Sequence, residues 1–275
     1  MPELPEVETI RAGLKDQVLG KEIAQVRVNR PQIIGQPGVK LFIKTLVKDK
    51  FTDLVRRGKF LAFTLSNDKI LIVHLRMTGR LLLSHQPTPG RPDVVIEFSN
   101  GARLIYEDRR HLGRMIIVRK DSNLDLGAML GLGLEPFSPD FTGRWLAGRL
   151  QNSRRAVKLF LLDQKIIAGL GNIYACEALF RAGIHPLTPG CRISFAQASR
   201  LRHAIVFVLK KAVSLQGTSF SDYVDASGQP GNYQRFLKVY GREKDRCFRC
   251  RQMVARIKHQ GRSSYFCPGC QPLAG

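Results

Sequence analysis

Apolar residues at Val7, Ile10, Leu14 and Val18 recur at helical spacing and predict a helix from residue 3 to about 18, stopping near Gly20. From residue 23 to 119 the pattern changes to short β-rich runs at 59–65, 70–75, 94–98, 102–106 and 115–118. Ser66-Asn67-Asp68 and Ser99-Asn100-Gly101 separate some of them as turn signals, so a β-sandwich or barrel is expected, interrupted by one helical piece at 40–48. Gly131 to Pro139 reads as a linker. Helical stretches follow at 143–150, 155–162, 173–182 and 195–214, around a turn at Gly169-Leu170-Gly171. A hairpin is expected from about Phe236 onward. The fold class is therefore α+β, with expected domains at 1–135 (helix plus sandwich), 136–235 (helical) and 236–275 (cysteine-bearing hairpin).

Charge narrows the range of partners. The 275 residues carry 44 Lys and Arg against 22 Asp and Glu, a net +22. Residues 1–140 hold 22 basic and 16 acidic side chains, while residues 141–275 hold 22 and 6. A field this one-sided suits a polyanion, and nucleic acid fits better than a membrane because no lipid-binding helix is apparent. The longest apolar runs are strand-sized and the N-terminus is acidic, which argues against a spanning helix and a secretory signal. A cytoplasmic location is expected.

Four of the six cysteines form Cys247-x2-Cys250-x16-Cys267-x2-Cys270. Paired thiolates two residues apart suit tight knuckles, and two knuckles supply a tetrahedral site for one structural zinc ion. A disulfide framework is the alternative, disfavoured in a reducing compartment. Cys176 and Cys191 read as a packed thiol and a loop thiol.

The first eight residues, Met1-Pro2-Glu3-Leu4-Pro5-Glu6-Val7-Glu8, carry two readings. One is a helix start, with proline and acidic residues favoured in the first turn. The other is chemical. Removing Met1 would give Pro2 a terminal secondary amine, titrating near ~8 rather than the ~10.4 of lysine, beside the Glu3 carboxyl. Such an amine attacks electrophilic carbon and forms a Schiff base.

These residues belong to a longer series: Arg57-Gly58-Lys59-Phe60-Leu61, His74-Leu75-Arg76-Met77-Thr78-Gly79-Arg80, Leu161-Leu162-Asp163-Gln164, Gly169-Leu170-Gly171-Asn172-Ile173-Tyr174-Ala175, Val239-Tyr240-Gly241-Arg242, and the cysteine segment ending Gly269-Cys270-Gln271. Taken in order, the series resembles the formamidopyrimidine-DNA glycosylases of base-excision repair. The resemblance implies a helix-two-turn-helix module, a zinc-finger β-hairpin and a bacterial, nucleoid-associated enzyme. It implies Pro2 as nucleophile at the sugar C1′, Glu3 as general acid or proton shuttle, and Lys59 as a lesion-strand contact and proton donor in β-elimination. Arg262 would bind phosphate and assist δ-elimination. Met77 matches a wedge that fills the gap left by a flipped base, and Arg110 an arginine inserted toward the orphaned partner. Asn172, with the amides of 169–171, would grip phosphate at a helix start. His74, Arg91, Arg154 and Lys158 are further DNA-binding candidates.

The chain also departs from the family pattern. Leu112 stands where an aromatic wedge is usual, Arg91 where relatives often carry histidine, and Ser221 where a basic residue is common. Leucine still intrudes between bases but stacks less well. The segment 216–234 corresponds to a loop that closes over an extruded 8-oxoguanine, or else is an ordinary surface loop. The implied activity is a bifunctional DNA glycosylase and AP lyase for oxidised purines, a monomer acting on duplex DNA with oxidised bases or abasic sites. The alternatives are an endonuclease VIII-type enzyme for oxidised pyrimidines and a non-catalytic lesion-binding paralogue.

Overall fold

The computed structural model describes residues 2–86, 90–121, 125–220 and 222–273, so Met1 and Ser221, both singled out above, lie outside the described residues. The chain forms two compact units. Unit 1 comprises Met1–Leu126 with Val213–Gln234, and unit 2 comprises Gly127–Ala212 with Arg235–Gly275.

Unit 1 opens with α1 (Leu4–Val18), started by a proline in its first turn. Val7, Ile10, Leu14 and Val18 are all buried, as their spacing predicts. Two four-stranded antiparallel sheets follow. One is ordered β2 (Phe51–Arg57), β3 (Phe60–Leu65), β4 (Lys69–His74), β8 (Arg114–Arg119). The other is ordered β1 (Ile23–Val28), β6 (Val94–Phe98), β7 (Arg103–Asp108), β5 (Gly79–Ser84). Leu54, Leu61 and Phe63 from the first sheet and Val26, Ile96 and Leu104 from the second share one core with α1, which makes the unit a sandwich. α2 (Val39–Leu46) is the expected helical interruption.

The strands over β3, β4, β6, β7 and β8 fall where the sequence pattern puts them. β1, β2 and β5 were not individually singled out, and each lies at a sheet edge. β1 and β2 mix charged or polar with apolar positions, which blurs the alternating signal, whereas the remaining edge strand, β8, keeps the apolar run at 115–118.

Unit 2 contains α3 (Leu126–Met129), which starts at the boundary, α4 (Gly143–Gln151), α5 (Val157–Leu161), α6 (Asn172–Ala182) and most of α7 (Phe195–Ser214). It ends in the hairpin β9 (Ala255–His259) and β10 (Arg262–Phe266). The grouping differs from the expected segments at 1–135, 136–235 and 236–275, chiefly because 213–234 packs with the sandwich. Tyr223 and Ala226 sit in the sandwich core, and the Leu83 amide donates to the Ala226 carbonyl at 2.8 Å. No helix among the described residues is long and apolar enough to cross a membrane.

Candidate active site and nucleic-acid interface

In unit 1, Pro2 and Glu3 are both buried, Glu3 to 2% exposure. Glu3 precedes α1, and its backbone N–H donates to Glu6 Oε2 at 2.7 Å. Glu6, itself buried, accepts from the Thr218 amide through Oε1 at 2.7 Å. One carboxylate therefore fixes both the terminus and the start of the 216–234 segment. Gly217 makes this approach possible. Its φ is +81°, and a Cβ there would lie 2.8 Å from Glu6 Oε1. Glu6 had no role assigned in the sequence reading, although an acid three residues after a helix-capping position is a recognisable signal.

Lys59 follows the β2–β3 turn at Gly58 (φ +58°) and is buried. That hairpin is tied to α1 by Arg56 Nε to Glu8 Oε2 at 3.0 Å. Phe60 pairs with His74 across β3–β4, and the two rings meet edge to face at 4.4 Å. Burial, then the charges of Arg76 and Lys59, push the His74 imidazole down to about 3, so it is neutral at physiological pH. Its Nδ1 accepts from the Arg76 amide at 3.0 Å, which leaves the ring proton on Nε2.

Two turns carry the candidate intercalating residues, and the structure places the turns side by side. Gly79 pairs with Asp108 where β5 meets β7. The Thr78 hydroxyl donates to Asp108 Oδ1 and accepts from the Arg110 amide. Burial alone would raise the Asp108 carboxyl. The Thr78 hydroxyl and the N–H groups of Gly113, Arg110 and Leu112 instead hold it below the usual carboxylate range. Gly113 must be glycine, because a Cβ would fall 1.6 Å from the Tyr106 hydroxyl. On this scaffold Met77 is 38% exposed, Leu112 43% exposed and Arg110 exposed. Arg91 is also exposed and lines a cavity of about 390 Å³ with Arg27 and Arg103.

The segment 216–234 is laid on the sandwich. Arg80 Nε donates to the Asp222 carbonyl at 2.7 Å, and Arg109 pairs with the Asp222 carboxylate at 3.1 Å. Asp225 Oδ1 accepts from the Ser227 and Gln229 amides.

In unit 2, α5 and α6 flank a turn stapled by Gln164, whose Nε2 donates to Leu170 O at 2.7 Å and whose Oε1 accepts from the Gly169 amide at 2.9 Å. The Gly169 N–H is thus already taken, so it is not one of the phosphate donors suggested by sequence. Asn172 begins α6 and donates from Nδ2 to the Ser263 carbonyl at 3.1 Å, while its Oδ1 is buried with no partner among the described residues. Lys158 is 2% exposed, with Nζ at 2.6 Å from the same Ser263 carbonyl and 2.8 Å from Ser264 Oγ. Here the structure departs from a direct DNA contact: the Lys158 ammonium is turned onto the hairpin. Both donors therefore grip the residue next to Arg262, which stands exposed at the tip, paired with His259 beyond the Gln260-Gly261 turn. Arg154 is exposed just before α5.

Glu177 was missed by the sequence reading. It is 3% exposed and accepts from the amides of Lys238, Val239 and Tyr240, each at 2.9 Å. A single acid within the apolar stretch of α6 was its signal.

The four cysteine sulfurs of residues 247, 250, 267 and 270 lie within 4.8 Å of one another. Cys247 and Cys270 are 3.8 Å apart and Cys250 and Cys267 3.3 Å, near the ~3.8 Å edge of a tetrahedron with ~2.3 Å metal–sulfur bonds. The set could hold a metal ion.

A buried proline–glutamate pair at the start of α1, an exposed arginine at the hairpin tip and four clustered cysteines, on a chain of +22, fit a protein that acts on nucleic acid. Residues 1–115 match the formamidopyrimidine-DNA glycosylase N-terminal domain, and residues 132–224 match the H2TH domain of the same enzymes. A formamidopyrimidine-DNA glycosylase of Pelotomaculum thermopropionicum is 43% identical over 99% of this chain and all of its own. Among solved structures, a Lactococcus lactis Fpg variant in complex with Fapy-dG-containing DNA superposes with a TM-score of 0.92 at 34% identity, covering 98% of this chain and 100% of the other. The Lactococcus lactis enzyme bound to DNA with an abasic site gives 0.91 at 34% identity, covering 98% and 99%. The chain belongs to the formamidopyrimidine-DNA glycosylase family.

Proposed function

We propose that this protein is a DNA glycosylase and AP lyase of base-excision repair that removes oxidised purines through a Schiff base on Pro2. The observation that carries this is Glu3, a carboxyl only 2% exposed, one residue after the terminal proline and held there by Glu6.

With Met1 removed, the Pro2 nitrogen attacks C1′ of the damaged nucleotide and the C1′–base bond breaks, the base leaving with a proton. Glu3 protonates the sugar ring oxygen as the ring opens, giving a cationic iminium between Pro2 and C1′. The cation acidifies the C2′ proton, whose removal expels the 3′ phosphate in β-elimination. Loss of the 5′ phosphate by δ-elimination follows and leaves a one-nucleotide gap. Lys59 serves as lesion-strand contact and proton donor, and Arg262 binds the departing phosphate through its planar fork. His74, Arg91, Arg154 and Asn172 contact the DNA backbone. Arg110 and the apolar Met77 and Leu112 occupy the space of the flipped base. Lys158 acts at one remove, by holding Ser263 beside Arg262. The four cysteines hold one structural zinc, whose closed thiolate set supplies rigidity to the hairpin and no chemistry.

Borohydride reduction with 8-oxoguanine or abasic duplex tests this reading. A covalent protein–DNA complex is expected, and Pro2→Gly should reduce it severely. Absence of an adduct with protein lacking Met1 would leave only lesion binding. Faster excision of thymine glycol than of 8-oxoguanine would reassign the substrate to oxidised pyrimidines.

A further inference from the structure

A second surface of unit 2 is lined by none of the residues assigned to DNA. α6 and α7 border a groove of about 450 Å³. Its floor includes Ala182 and Ala204, both nearly buried, and beside them Phe207 is 46% exposed. Arg181, Arg200 and Arg202 also line it. Arg202 is anchored by an Nε bond of 2.6 Å to the Phe141 carbonyl, which fixes its guanidinium at the wall.

The charge is uncompensated at this spot. α7 contains no acidic residue, and the one acid of α6, Glu177, is buried on three backbone amides. None of unit 2's carboxylates lines the groove.

Phosphate backbone would satisfy the arginines but leave the apolar floor and the Phe207 edge uncovered. A nucleobase stacking on Phe207 meets a further obstacle, because the Arg181 guanidinium already lies 3.6 Å from the ring centroid over one face. The groove also sits at the far end of α6 from Asn172, nine residues and so about 14 Å along the axis. Apolar floor and flanking arginines together fit a ligand with one bulky apolar group and several carboxylates.

We propose that this groove docks an acidic peptide segment of a partner protein, with an apolar side chain on the Ala182–Ala204 floor beside Phe207 and its carboxylates against Arg181, Arg200 and Arg202. Arginine and aromatic anchors of this kind dominate peptide and protein interfaces.

The test uses the zinc-loaded full chain, pre-bound to a duplex with a non-cleavable abasic analogue. Fluorescence anisotropy follows a labelled peptide of four aspartates and two leucines, against a control in which serines replace the leucines. Saturable binding is expected, weakened at least about tenfold by Phe207→Ser, by Arg200→Glu and by the serine peptide, because loss of a buried anchor is worth that much or more. Both substitutions are on exposed side chains and should leave 8-oxoguanine excision unchanged, which verifies folding. Failure to saturate, equal binding of the serine peptide, equal binding to the variants, or displacement of the peptide by the duplex would each overturn the proposal. The last would identify the groove as one more DNA contact.

Discussion

His74 shows how a single side chain is read differently from sequence and from structure. The resemblance made it a DNA contact, and a histidine in a basic protein suggests a positive charge. In the fold, burial and the charges of Arg76 and Lys59 push it down to about 3, with its proton on Nε2. It can donate one hydrogen bond to phosphate but adds no charge at neutral pH. A depressed histidine also makes stability depend on pH. The unfolded chain takes up a proton near the ordinary value of 6.5 whereas the folded one resists to about 3, so stability is full above 6.5 and falls as pH drops toward 3. At pH 5 the loss is at most about 2 kcal/mol from this group. Thermal unfolding of wild type and His74→Gln at pH 7.5 and 5.0 should show the larger drop in wild type, and parallel curves would refute the burial argument. Pro2, Glu3, Lys59 and Arg262 stood out as candidates through short motifs. Glu6 stood in the N-terminal motif without a role and Asp108 in none of the quoted motifs, because their partners, Thr218 and Thr78, are distant in sequence.

At the scale of elements, the interior strands of the sandwich were legible and three of its four edge strands, β1, β2 and β5, were not, since an edge leaves one side unpaired and tolerates charge. The fourth, β8, was legible because 115–118 is an unbroken apolar run. Helices survived translation into structure better, because their apolar stripes pack on one face regardless of long-range pairing. What no local pattern revealed is the clasp between α6 and the segment leading to the cysteines. Glu177 caps three consecutive amides there, and burial pushes its carboxyl up despite those donors. Glu177→Ala would leave three buried or half-buried N–H groups without their acceptor, at about 1–3 kcal/mol for each that stays dry. Glu177→Gln keeps one oxygen, the acceptor shared by Val239 and Tyr240, and should cost distinctly less. Urea unfolding of the zinc-loaded protein measures both. Equal losses would mean that charge, rather than acceptor geometry, holds the clasp.

For the whole molecule, charge predicted the partner class, but the division of the chain was only partly visible. The 213–234 segment follows a helix in sequence, and only its contacts through Glu6, Tyr223 and Ala226 assign it to the sandwich. With that assignment, unit 1 holds 22 basic and 16 acidic side chains and unit 2 holds 22 and 6. The excess of positive charge is thus concentrated in the unit bearing Arg154, Asn172 and Arg262. Contact with roughly four to six phosphates releases that many condensed counterions, so the logarithm of affinity should fall with the logarithm of salt at a slope of about −4 to −5. Titrating a duplex with a non-cleavable abasic analogue at several salt concentrations gives the slope directly. If each holds one phosphate as proposed, Arg154→Ala or Arg262→Ala should each lower its magnitude by about one. Lys158→Ala should behave differently: its ammonium bonds to Ser263 and Ser264 within the protein, so the slope changes through misplacement of Arg262 and by no more than the arginine's own share. A double variant at 158 and 262 with the slope of Arg262→Ala alone would establish that the lysine acts through the hairpin, whereas an additional full unit would return Lys158 to the DNA surface.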